Sequence, residues 1–201
     1  MDARIYPPTQ KGRIFELCAL GLRDFAKVKE DGRLDPFELA RFAKLLVVDF
    51  SQIEGLSLQT QSHLLGEGAN SWSGGTASQT LPNGWKLVIL NPTHGPQRNN
   101  ATLMEEICHV FLGHKANRLA IVSEDRNGKM SARDYNESDE EAAYAVGAAA
   151  LAPYSSLLKF ILRGMTSKEI GRHFDVSRDL VEYRLKVSRL WEQYKVRQGQ
   201  S

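Results

Sequence analysis

The residues best suited to chemistry form a short acidic run that ends in a histidine. Glu105 and His109 are four residues apart, and Glu106 lies between them. On a helix, residues four apart share a face, so two ligands at this spacing can hold one metal ion while the intervening glutamate holds the attacking water. Zinc hydrolases with an H-E-x-x-H motif use this arrangement, and here a carboxylate stands at the first ligand position. The spacing alone leaves the choice open, because a Glu–His pair four residues apart is also a common helical ion pair.

The pattern around this run predicts the helix that carries it. Apolar residues at helical intervals indicate a helix that opens at Asn100, and Gly113 fits the left-handed residue that ends it. Upstream, residues 85–90 form a β-prone run between Asn-Gly and Asn-Pro turns, which predicts a strand. Such a strand is either the one that pairs with an extended peptide substrate or an inner strand of the sheet.

A second acidic group opens another predicted helix, over residues 137–152. Its first turn contains Glu140 and Glu141, which suit the positive end of a helix dipole. The remainder is almost wholly Ala, Val and Leu until Pro153, which cannot continue a helix. We therefore expect this helix to be buried.

The remaining segments are mostly helical by pattern. Helical spacing and capping residues predict further helices over residues 12–29, 35–46, 154–162, 166–174 and 177–190. The Gly- and Ser-rich segment 66–84 predicts a loop or short, weak strands. The last two helices are joined by a tight turn and the second is basic, which is the outline of a helix-turn-helix. We expect a main domain over residues 1–153 and a helix-turn-helix-like region over 154–201.

Composition indicates an ordinary globular chain. With 201 residues, 42% of them hydrophobic and 25% charged, one well-buried core is expected. No apolar run reaches the roughly 18 residues needed to cross a bilayer, and Cys18 and Cys108 lie in helical patterns that fit reduced thiols. We expect a cytoplasmic protein with no membrane partner. The net charge is −3 over residues 1–150 and +5 beyond them, so direct contact with nucleic acid is only weakly supported.

Several segments together resemble the ImmA/IrrE-type metallopeptidases. The strand and active helix of that family are similar to residues 87–92 and 101–114, with the basic Arg98 between them. The family's downstream helix, of the form Glu-x-x-Ala-x-x-x-Ala-x-x-x-Leu-x-Pro, is similar to residues 140–153, where Gly147 replaces a usual alanine. The end of the chain resembles the family's helix-turn-helix-like tail.

The resemblance implies an α+β, mostly helical fold with a zincin-like core and a small β-sheet. It implies that Zn²⁺ is bound by His109 and Glu140, with Glu141 as the alternative to Glu140, and that Glu106 takes the proton of the attacking water. Glu105 departs from the family's usual histidine. As a ligand, this carboxylate would add negative charge to the site and weaken the ion as a Lewis acid, so activity could be lowered or lost even with metal bound.

Three neighbouring side chains have other interpretations. His114 is five residues beyond His109, about 140° round the helix, so it reaches the same ion only if the helix ends between them. We interpret it as a helix-end residue. His94 follows the predicted strand in a turn and is interpreted as a solvated loop residue. Cys108 falls among apolar neighbours and is interpreted as a core residue.

Two functions of different class fit these observations. By resemblance, the chain is a site-specific endopeptidase that cleaves a helix-turn-helix repressor and so releases genes for stress responses or for transfer of mobile elements. Alternatively, it is a peptidase-shaped regulator that has lost metal chemistry through Glu105 and acts by binding protein or DNA. The basic residues that could contact phosphates in that case are Arg178, Arg184, Lys186 and Arg189.

Overall fold

The computed structural model describes residues 5–114 and 136–199. In these ranges the elements follow in the order α1 (Gln10–Phe25), α2 (Pro36–Phe42), β1 (Leu45–Val48), α3 (Leu58–Leu65), β2 (Gly74–Thr80), β3 (Lys86–Leu90), α4 (Pro96–Phe111), α5 (Glu137–Leu151), α6 (Tyr154–Leu162), α7 (Ser167–Phe174), α8 (Arg178–Val187) and α9 (Trp191–Arg197). Short 3-10 helices occupy Phe50–Gln52 and Ala69–Ser71. The architecture is α+β and mostly helical, which confirms the predicted class.

The three strands form one small mixed sheet in the order β1-β3-β2. β1 runs parallel to β3, with Leu45 opposite Lys86, and β2 runs antiparallel to it, with Gly74 opposite Leu90. The register of β2 shifts between Thr76 and Thr80. β3, which was a candidate substrate strand, is therefore the inner strand, and the edge strand near α4 is β2.

Helices α4 and α5 pack directly on each other and form the centre of the core. α4 buries Leu103, Met104, Ile107 and Cys108, and α5 buries nearly every residue from Ala143 to its end. Gly147 faces α4, where an added Cβ would lie 3.4 Å from Met104 Cγ and 3.5 Å from the backbone nitrogen of Glu105. The small side chains of α5 thus let the two helices approach closely at the level of Glu105.

Several predicted boundaries in the first half of the chain are wrong. The helix predicted over residues 12–29 spans Gln10–Phe25, and Lys27 just beyond it adopts φ 55°. The helix predicted over residues 35–46 ends at Phe42, because the chain reverses at Lys44 (φ 54°) and residues 45–48 join the sheet as β1. The helix predicted to open at Asn100 begins at Pro96, the first residue after an extended Gly95. Proline at this position loses no hydrogen bond, since the first N–H groups of a helix have no intrahelical acceptor.

The C-terminal helices continue the same core. The capping box between Thr166 and Glu169 is present at the start of α7, and Asp175 ends that helix in the left-handed conformation. The helix predicted to reach Leu190 stops at Val187, because Arg189 adopts φ 62° and α9 follows as a separate helix. Buried residues before and after position 153 belong to one hydrophobic cluster, so a domain boundary there stays a prediction.

The described part of the chain has no single helix long and apolar enough to cross a membrane. α5 and α6 meet the length and composition requirement only together, as a pair bent by 48°.

Candidate metal centre

Helix α4 presents its chemically active residues along the margin of the core. Leu103, Met104, Ile107 and Cys108 are fully buried, whereas Glu105, Glu106 and His109 are half-buried on the neighbouring stripe. The amphipathic period of α4 dictates this position, because its apolar face must pack against α5 and the sheet. Residues 105 and 109 consequently share one side of the helix, as their spacing predicts.

Three side chains from two helices converge at this stripe. Glu105 and His109 of α4 and Glu140 from the first turn of α5 each offer a ligand atom, and these atoms all lie within 4.8 Å of one another. The Nε2 atom of His109 lies 3.6 Å from Oε2 of Glu140. The position of Glu140 follows from its place at the start of α5, where the helix meets the end of α4.

The donor set and spacing fit a divalent metal ion. Zinc accepts imidazole nitrogen and carboxylate oxygen, and two ligands about 2.1 Å from one tetrahedral ion lie about 3.4 Å apart. The 3.6 Å separation between His109 and Glu140 is close to that value. Since Glu105 offers a third atom, these residues could hold one ion without a large rearrangement.

The carboxylates of the cluster repel one another electrostatically. Burial and, to a smaller extent, the charges of Glu106 and Glu140 together raise the pKa of Glu105 from 4.5 to about 7. Burial also raises the pKa of Glu106, against the hydrogen bond from Thr76 and the electrostatic influence of His109 and Lys86. A cation placed among these carboxylates would lower the pKa of both Glu105 and Glu106, because an opposite charge favours the ionised form.

Glu106 is held by strand β2, which lies in the segment predicted to form a loop or short, weak strands. The hydroxyl of Thr76 on β2 donates a hydrogen bond to Oε2 of Glu106, at 2.5 Å. This contact leaves the second carboxylate oxygen available to accept a proton. It also fixes the carboxylate beside the free edge of the sheet, since β2 pairs only with β3 among the described strands.

Of the two glutamates considered for the third position, the structure brings Glu140 to the cluster. Glu141 is exposed on α5 and forms an ion pair with Lys11 at 2.6 Å. Cys108 is fully buried and packs in the core, as interpreted from the sequence. Burial raises the pKa of its thiol, so it does not supply a thiolate to the site.

The two other histidines of this region differ from each other. His94 is half-buried, both of its ring nitrogens are shielded from solvent, and burial lowers its pKa. The interpretation of His94 as a solvated loop residue is therefore wrong. His114 lies outside the three-residue cluster but touches it, with its Nδ1 atom 3.1 Å from Nδ1 of His109.

Thr76 and Asp139 are the residues near the site that reasoning from the sequence missed. Thr76 sits in a segment rich in Gly, Ser and Thr, where nothing distinguishes one hydroxyl from its neighbours. Asp139 lies 3.8 Å from Nε2 of His114. The only signal for Asp139 was the acidic first turn of α5, which helix electrostatics explains equally well.

Comparison with known proteins identifies the family. Residues 69–186 match the family model described as Peptidase M78, IrrE N-terminal-like domain. The match covers more than half of the chain and includes β2, β3, α4 and α5, the elements that carry the cluster. No curated protein and no solved structure matches the chain. The family is one of metallopeptidases, which implies a divalent metal ion and a protein substrate. The chain therefore belongs to the ImmA/IrrE family of metallopeptidases, peptidase family M78.

Proposed function

We propose that this chain is a zinc-dependent endopeptidase that cleaves a helix-turn-helix repressor and so controls transcription of stress or mobile-element genes. The observation that supports this most directly is the convergence of Glu105, His109 and Glu140 within 4.8 Å, beside a glutamate held at the edge of a sheet. His109, Glu140 and Glu105 would hold the ion. When bound, the ion would polarise the scissile carbonyl and make an attacking water more acidic.

Glu106 would carry the proton of the reaction. Hydrolysis adds a hydroxyl to the carbonyl carbon and a proton to the amine nitrogen as the C–N bond breaks, so one proton must be taken from water and delivered to the leaving group. The raised pKa of Glu106 makes it a better proton acceptor than an ordinary glutamate. The hydrogen bond from Thr76 to Oε2 fixes the orientation of this carboxylate.

The free edge of β2 offers a place for the substrate backbone. An extended peptide can add to an exposed strand through main-chain hydrogen bonds. Thr76 lies on β2 opposite Val88 and its side chain reaches Glu106, so a peptide paired along this edge would pass the cluster. The repressor as substrate rests on the family resemblance, and the site itself argues only for a peptide.

The regulatory alternative has lost part of its support. Arg184, one of the four basic residues proposed for phosphate contact, is buried and pairs with Glu16 inside the protein. Arg178 forms an ion pair with Glu182 on the same helix, and Lys186 lies over the ring of Trp191. The outward surface of α8 is therefore less basic than its sequence suggests.

Metal content and cleavage test the proposal together. Protein purified without chelator should contain about one zinc per chain and should cut helix-turn-helix regulators encoded beside its gene at one bond, as read by mass spectrometry of the fragments. Glu106→Gln should retain the metal and lose at least about 10²-fold in cleavage rate. Glu141→Gln, which changes an exposed neighbour, is the control. A chain that binds no metal would favour the regulatory alternative, whereas an active Glu106→Gln variant would show that Glu106 does not carry the proton.

A further inference from the structure

His114 is turned back onto His109 by the way α4 ends. Gly113 adopts φ 71°, a conformation that glycine takes without strain. The backbone N–H of Gly113 donates to the carbonyl of Val110 at 3.1 Å, and that of His114 donates to the carbonyl of His109 at 2.9 Å. This is the Schellman pattern, in which the residue after the glycine contacts the residue five positions earlier. Here the two contacting side chains are both imidazoles.

The two rings form a directed contact. Nδ1 of His114 lies 3.1 Å from Nδ1 of His109, with the ring planes at 70°. On the far side, Nε2 of His114 faces Oδ1 of Asp139 at 3.8 Å, a distance for electrostatic attraction more than for a hydrogen bond. The side chain of His114 is only 11% exposed. A row of groups thus runs from Asp139 through His114 to His109 and on to Glu140.

Metal binding through Nε2 of His109 is compatible with one arrangement of hydrogens in this row. His109 faces Glu140 through Nε2, so a metal ion in the cluster requires the lone pair of that nitrogen, and the ring hydrogen must then be on Nδ1. The Nδ1–H of His109 can donate to His114 if Nδ1 of His114 carries no hydrogen. The hydrogen of His114 is then on Nε2, directed at the carboxylate of Asp139.

We propose that His114 is a positioning residue, which accepts the Nδ1 hydrogen of His109 and thereby holds that ring in the tautomer and orientation needed to bind the ion. This inference rests on the proposed metal site. Partners of this kind fix the tautomer of a ligating imidazole, and their loss weakens metal affinity by about 10- to 100-fold. Asp139 supports the arrangement by attracting the Nε2 hydrogen of His114.

The experiment compares an apolar with a polar replacement of the second ring. His114→Leu fills similar space without an acceptor, whereas His114→Asn places an amide oxygen near the position of Nδ1. His63→Leu, on the exposed surface of α3, is the matched control. Zinc affinity is measured by competition with a chromophoric chelator. Nitrogen-15 spectra of the zinc-loaded wild type report which nitrogen of each ring carries hydrogen.

We expect zinc affinity to fall about 10- to 100-fold in His114→Leu and to stay within about threefold of wild type in His114→Asn. The spectra should place the hydrogen of His109 on Nδ1 and that of His114 on Nε2. Equal affinity of wild type and His114→Leu, equal losses in both variants, or a His114 hydrogen on Nδ1 would each overturn the inference while the metal site stands. Absence of zinc from the wild type would instead overturn the proposed function as well. If His114→Leu does not fold, the wild-type spectra and His114→Asn decide.

Discussion

Carboxylates in two regions of this protein, one at Glu16 and one at the candidate metal centre, have opposite electrostatic surroundings. Glu16 of α1 is 1% exposed, and its two oxygens accept hydrogen bonds from Arg184 Nη2 at 2.7 Å and from the backbone N–H of Tyr154 at 2.6 Å. Arg184 also donates through Nε to the carbonyl of Ala152 at 3.1 Å. The chain thus supplies its own cation and donors, and this pair ties α1 and α8 to the turn after α5.

At the metal centre, three glutamates converge around one histidine. Burial and the neighbouring carboxylates bring the pKa of Glu105 to about 7, whereas Arg184 works against the effect of burial on Glu16. One imidazole carries at most a single positive charge, so it cannot balance the charge of Glu105, Glu106 and Glu140 together. The difference teaches that a buried carboxylate serving the fold is neutralised by a cation of the chain, while the carboxylates of the candidate metal centre lie where an added cation would neutralise them.

Removing the internal cation should produce the largest loss of stability. Arg184→Met leaves Glu16 buried without its counter-charge, so we expect the free energy of unfolding to fall by about 3 to 5 kcal/mol. Urea denaturation measures this. Arg178→Met, on the same helix but exposed, should have little effect. Comparable losses in the two variants would mean that the buried pair is no different from a surface pair.

Neutralising one carboxylate of the candidate metal centre should raise the stability of the metal-free protein at neutral and higher pH. The pKa of Glu105 is higher in the folded chain than the usual 4.5, so its contribution to stability is fully present below about pH 4.5 and is lost as the pH rises through about 7. For the chelated, metal-free protein this amounts to about 2.5 kcal/mol between pH 5 and pH 8. Glu105→Gln should remove that part of the decline. Identical pH dependence in wild type and variant would contradict the assigned pKa.

Replacing Glu105 with the family's usual ligand should strengthen zinc binding. Glu105→His removes one of three clustered negative charges and supplies the imidazole nitrogen that zinc commonly binds. We expect affinity to rise about 10-fold or more at neutral pH, where the native carboxyl must also lose a proton, as judged by competition with a chelating dye. Glu141→His, one residue beyond Glu140 and exposed, is the control. An unchanged affinity would indicate that residue 105 does not face the ion.

The smallest effect should come from the hydroxyl that holds Glu106. Thr76→Val preserves the β-branched shape and removes a hydrogen bond to a charged group, so the cleavage rate should fall about 10-fold. Because that bond lowers the pKa of Glu106, the acid limb of the pH–rate profile should move to higher pH. Thr80→Val on the same strand should change neither. A profile that stays in place would show that Thr76 does not act through Glu106.

Local patterns in the sequence determined several features of this protein without any tertiary information. The helix over 137–151 and its end before Pro153, the strand over 86–90 and the capping box at Thr166 all depend on interactions within a few residues. The common face of Glu105 and His109 likewise follows from the helical period alone. Such features are accessible because one turn of helix or one capping hydrogen bond decides them.

The tertiary structure alone decided how these pieces meet. It made β3 the inner strand, brought Thr76 to Glu106, and turned Arg184 inward to a partner 168 residues away. It also placed Glu140, and not the adjacent Glu141, beside His109. Each of these outcomes depends on which faces of distant elements pack together. Neighbouring residues on a helix point about 100° apart, so only the packing of α5 against α4 could choose between them.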